Sequence, residues 1–95
     1  MLVQSFNLSL VAEKAQSVIV FALMECSYYD LAAKARLLNY AHYIGYGFLD
    51  CIKQGFVTLA RLYPKQKAQL RQACKEALQM GRKYYPGLIS EAKDE

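Results

Sequence analysis

Tryptophan is missing from this chain, histidine occurs once, proline twice and glycine five times in 95 residues. So little proline and glycine excludes collagen-like and low-complexity disordered classes. Gly45-Tyr46-Gly47 has two of its glycines but no preceding strand, third glycine or lysine, which excludes a phosphate-binding loop. Three cysteines occur, Cys26, Cys51 and Cys74, with no CxxC or CxxH pair among them. That excludes a zinc site or a disulfide framework, and leaves three small buried hydrophobes. The carboxylates before the C-terminal tail, Glu13, Glu25, Asp30, Asp50 and Glu76, never fall three or four residues apart. A helical carboxylate site is therefore excluded, and no metal or other cofactor is expected. No apolar run is long: the longest, 18–24, is far short of the about 20 residues a membrane span needs. Nothing basic precedes the first apolar stretch, and Glu13 and Lys14 interrupt it, so a secretory signal is not expected. With unpaired thiols and no export signal, the expectation is a soluble cytoplasmic protein without a membrane partner.

What the chain does have is apolar residues, 55% of the total, at helical spacing. The expectation is an all-α domain over residues 1–87, about four helices in an up-down antiparallel bundle, followed by a short acidic tail over 88–95. The first helix spans about 4–26, with Val11, Ala15, Val18, Ile19 and Ala22 on one face. Ser27 or Asp30 starts the second, which runs to about residue 44. Gly45 ends it as a left-handed cap; the competing reading is one rod continuing through both glycines. The third helix covers 48–62, with Phe48, Ile52, Phe56, Leu59 and Tyr63 inward and Gly55 marking a close backbone approach. Tyr63-Pro64 stops it, and a fourth follows over 65–85, its inner face Leu70, Ala73, Cys74, Ala77, Gly81 and Tyr84. A domain this small buries only roughly 60–65% of its unfolded surface. The apolar excess predicts a leftover patch, and hence a partner or a second copy completing the bundle. The 18–24 segment is apolar all round, so Val18, Val20, Phe21 and Met24 are the candidate contact residues, with Tyr28 and Tyr29 beside them.

Charge is uneven. Residues 51–90 carry eight basic side chains against one acidic, whereas residues 1–50 carry three against four. Lys67, Arg71, Lys75 and Arg82 lie within about 80° on a helical wheel. Such a stripe suits phosphates or an acidic protein surface, or is a solvated face with snorkelling side chains. Eight tyrosines are many for this length. They suit an interface, stacking on unpaired bases, or the wet edge of a helical core.

Arg36 and the lone His42 stand in Arg36-Leu37-Leu38-Asn39-Tyr40-Ala41-His42. The spacing resembles the R-x(4–6)-H motif of HEPN-family ribonucleases, though Leu37 departs from the polar residue often found after the arginine. The resemblance implies a cleft between two chains, with histidine moving a proton and arginine balancing phosphate charge. On one regular helix the two residues point about 120° apart. No other acid, base or nucleophile stands in a catalytic context. The expectation is therefore a non-enzymatic helical interaction module, self-associating or a subunit of a complex. Nucleic-acid binding through the basic stripe ranks second and a HEPN-like ribonuclease third.

Overall fold

The computed structural model describes residues 2–43 and 45–89. All regular structure among them is helical: α1 (Leu2–Glu25), α2 (Tyr29–Arg36), α3 (Phe48–Leu62) and α4 (Lys67–Tyr84). Three 3-10 turns, Tyr40–Tyr43, Pro64–Gln66 and Pro86–Leu88, lie between or after them. Ile44 and residues 90–95, with Glu91, Asp94 and Glu95, lie outside the described residues.

α1 is the common neighbour. It packs against α2, α3 and α4, and α3 packs against α4. The expected α1 face is in the core: Ala15, Val18, Ile19 and Ala22 are buried and Val11 packs against them. The α3 face is equally regular, with Phe48, Ile52, Phe56 and Leu59 buried. Two glycines set the spacing. A Cβ on Gly55 would meet Ile19 Cδ1 at 2.5 Å, and one on Gly81 would meet Phe48 Cε2 at 3.0 Å and Ile52 Cδ1 at 3.1 Å. α3 thus lies so close to α1 at Gly55 that a side chain there would displace the Ile19 tip, and close enough to α4 at Gly81 that one there would be tight.

The second helix differs from expectation at both ends. Ser27 does not cap α2. Its φ of 64° is left-handed, its N–H bonds Met24 O at 2.9 Å, and the Tyr28 N–H bonds Leu23 O at 2.8 Å. That pair of bonds is a Schellman motif, so Ser27 closes α1 instead of opening α2. Tyr28 takes the cap position with no side-chain bond, and Asp30 lies in the first turn as expected.

α2 then stops at Arg36, well before residue 44. Its last carbonyls find partners outside a helical ladder. Leu37 N bonds Lys34 O, Leu38 N bonds Ala35 O, the Tyr40 hydroxyl also donates to Ala35 O at 3.1 Å, and Gln16 Nε2 donates to Arg36 O at 3.1 Å. These bonds satisfy the groups a helix end otherwise leaves open. Gly45, at φ 97°, makes the turn into α3, so the two-helix reading holds and the continuous rod does not. At the other end, Leu88 and Ile89 are half-buried against the core.

Candidate interaction surfaces

The aromatic side chains divide by location. Tyr40 is buried, and its ring meets Tyr43 edge-on, as Tyr43 meets Tyr46, each pair at 5.9 Å. The Tyr43 hydroxyl donates to Gln54 O at 3.3 Å and shares a hydrogen bond with Thr58 Oγ1 at 2.5 Å. Cys51 Sγ donates to Tyr43 O at 3.4 Å. Tyr43 therefore pins the α2–α3 connection onto α3. Tyr28 donates to Gln72 Oε1 at 2.9 Å, tying the start of α2 to α4. The Lys34 ammonium lies 4.4 Å from the Tyr63 ring centroid, tying α2 to the end of α3. Tyr85 packs edge-on against Phe48. Tyr29, Tyr46 and Tyr84 are the exposed ones. Tyr84, expected on the inner face of the last helix, is therefore a surface residue. It is the last residue of α4, and it is Tyr85, the residue after it, that turns inward onto Phe48.

The apolar stretch 18–24 is not surface all round. Val18 and Val20 are core residues, because α1 is covered by other helices on most of its circumference. Phe21, 61% exposed, and Met24 are what remains outside. A groove of about 420 Å³ borders Phe21 toward α4, lined by Ser17, Glu25, Met80 and Tyr84 among others. A second, of about 490 Å³, borders it toward Arg36 and Met24. Leu37, just past the end of α2, is 85% exposed. Sequence periodicity could not single out Leu37, since its exposure follows from the early end of α2.

The basic stripe is exposed at all four positions, Lys67, Arg71, Lys75 and Arg82. Among the described residues the ion pairs are Lys34–Asp30 and Lys53–Asp50, each at 3.8 Å, so no described carboxylate pairs with the stripe. Lys67, Arg71 and Lys75 form one bank of a groove of about 340 Å³ between α3 and α4, while Arg82 lies beyond it. The groove floor is apolar, with Phe56, Val57, Ala60, Leu70, Cys74 and Leu78.

Arg36 and His42 do not share an element. Arg36 ends α2, exposed, with Nη2 at 3.6 Å from Met24 Sδ. His42 is exposed in the separate Tyr40–Tyr43 turn, and it does not line the groove beside Arg36. The cysteines are free thiols. Burial pushes the Cys26 thiol up, with Glu76 and Glu25 adding to the effect. Burial likewise raises Cys74, opposed by Lys53. Both thiols are held away from the thiolate that nucleophilic chemistry requires. Among the described residues, no group of three His, Cys, Asp or Glu side chains is arranged to hold a metal ion. No helix among them is long and apolar enough to cross a membrane. No known family model, curated protein or solved structure matches this chain, and the Arg36–His42 spacing has no wider resemblance behind it.

Proposed function

We propose that the chain is a non-enzymatic α-helical protein–protein interaction module that associates with a second copy of itself through the outer ridge of α1. Phe21 carries the reading. It is a large apolar ring, mostly exposed, on the helix that every other helix packs against, with an open groove on each side. Burying such a side chain is worth about 1.5–3 kcal/mol, and Met24 and Tyr84 extend the same surface. A two-fold contact uses one patch twice, so each ridge inserts beside the other and the second copy completes the up-down bundle. Three free thiols accord with a reducing, cytoplasmic setting.

Light scattering tests the proposal. The wild-type chain is expected at twice its 10.8 kDa mass at micromolar concentration, and Phe21→Glu at the single mass with unchanged helicity. A wild-type monomer across that range removes the reading.

Nucleic-acid binding is the second reading, favoured by four exposed cations on α4 that make no ion pair among the described residues. Its signature is a log–log slope of affinity against salt of roughly −3 to −4, from about four neutralised phosphates. A chain showing no salt-sensitive RNA or DNA binding at low ionic strength removes it.

A further inference from the structure

The α3–α4 groove is separate from the Phe21 ridge, and its chemistry is different. On α4 two rows run side by side at i, i+4 spacing: the cations Lys67, Arg71 and Lys75, and the apolar Leu70, Cys74 and Leu78. Each row covers eight residue steps, about 12 Å, or a little over two helical turns. Val57 and Ala60 of α3 close the far side of the floor, and Val57 is 46% exposed. The cation on the α3 side, Lys53, is engaged with Asp50, so among the described residues the cations of this groove without an ion pair lie on the α4 bank.

We infer that this groove docks an acidic amphipathic helix of a partner protein, its apolar side on Val57, Ala60 and Leu78 and its carboxylates along Lys67, Arg71 and Lys75. An apolar face laid into a groove, with anchors at i, i+4 and i+7, is a recurring mode of helix recognition. Charge complementarity selects an acidic partner and sets its orientation. Single-stranded nucleic acid fits less well. Its binders set exposed aromatic rings among their cations for base stacking, whereas the ring in this groove, Phe56, is 4% exposed. The inference does not depend on self-association, because Phe21 is not part of this groove.

The test uses a fluorescein-labelled helical peptide with leucines at i, i+4 and i+7 flanked by glutamates, and its counterpart with glutamine at every glutamate. Anisotropy is expected to show binding of the acidic peptide and at least tenfold weaker binding of the glutamine form. Lys67→Glu with Arg71→Glu and Lys75→Glu is expected to lose about tenfold or more, from three charge pairs together. Val57→Asp removes apolar contact on an exposed position and is expected to weaken binding similarly. Arg82→Gln and Phe21→Glu are expected to leave it unchanged, which separates this site from the self-association ridge. Circular dichroism confirms that each variant is folded. Bound peptide is also expected to slow alkylation of Cys74, in the floor, and not of Cys26, which lines a different groove beside Glu25 and Glu76. Failure of the acidic peptide to bind, equal binding of the glutamine form, or an unshielded Cys74 overturns the inference. So does a single-stranded RNA that displaces the peptide and binds Val57→Asp as well as wild type, which makes the surface a nucleic-acid site.

Discussion

At the scale of single residues, Tyr40 is the group whose chemistry is most altered by folding. Burial raises its phenol well above the ordinary value of 10.0, with Tyr43 adding to the effect. The folded state therefore holds this proton to higher pH than the unfolded chain does. Its contribution to stability is complete below pH 10.0 and falls as pH rises above that value, where the unfolded chain releases the proton first. Tyr40→Phe removes the titration together with the bond to Ala35 O, which keeps its contact from Leu38 N. Urea unfolding is expected to find the variant about 1 kcal/mol less stable at pH 8. That deficit is expected to shrink steadily toward pH 11. A constant difference across the range means that Tyr40 is not protected from ionisation by the fold.

At the scale of elements, the α1–α2 junction carries the main departure from local helix rules. A serine occupies the left-handed position of a Schellman motif, where glycine is the ordinary occupant because it has no Cβ to clash. A left-handed non-glycine residue costs roughly 1–2 kcal/mol, and part of the recovered energy is returned as chain entropy. Ser27→Gly is thus expected to stabilise the protein by about 0.5–1 kcal/mol, raising Tm by several degrees in a domain of this size. Ser27→Ala is expected to cost little, because the Ser27 side chain caps nothing. If Ser27→Ala instead loses the ~1 kcal/mol typical of a missing N-cap and Ser27→Gly gains nothing, Ser27 belongs to the start of α2.

At the scale of the whole molecule, the apolar excess has two destinations. Most of it fills one continuous core, with α1 shared among three neighbours and glycines at its tightest contacts. Part of the remainder lies outside in two places, the Phe21–Met24–Tyr84 surface of α1 and α4 and the α3–α4 groove around Val57, and part stands singly, as at Leu37 and Leu62. The proposed self-association through the first would link stability to protein concentration by mass action. The wild-type Tm is therefore expected to rise with concentration, and the Phe21→Glu Tm to stay constant and near the dilute wild-type value.

The first, third and fourth helices were legible in the residue order, to within a few positions at each end, because helix periodicity and proline are local signals. Val11 to Ala22 on one side of α1, the Phe48-to-Leu59 face of α3, and the stops at Pro64 and Pro86 all follow from chemistry within a few residues. Gly45 does take the expected left-handed φ of 97°, a local signal, but it caps no helix, because α2 has already ended at Arg36. The end of α2 is not local. Arg36 closes that helix because Gln16 of α1 and the buried Tyr40 supply partners for its carbonyls, and both depend on where other elements lie. The surface was legible only in part for the same reason. Phe21 and Val20 are neighbours in an apolar run, yet one faces out and the other in, and only the positions of the surrounding helices decide which. Likewise the spacing of Lys67, Arg71 and Lys75 makes a stripe by itself. α3, folding alongside, turns that stripe into one bank of an apolar groove.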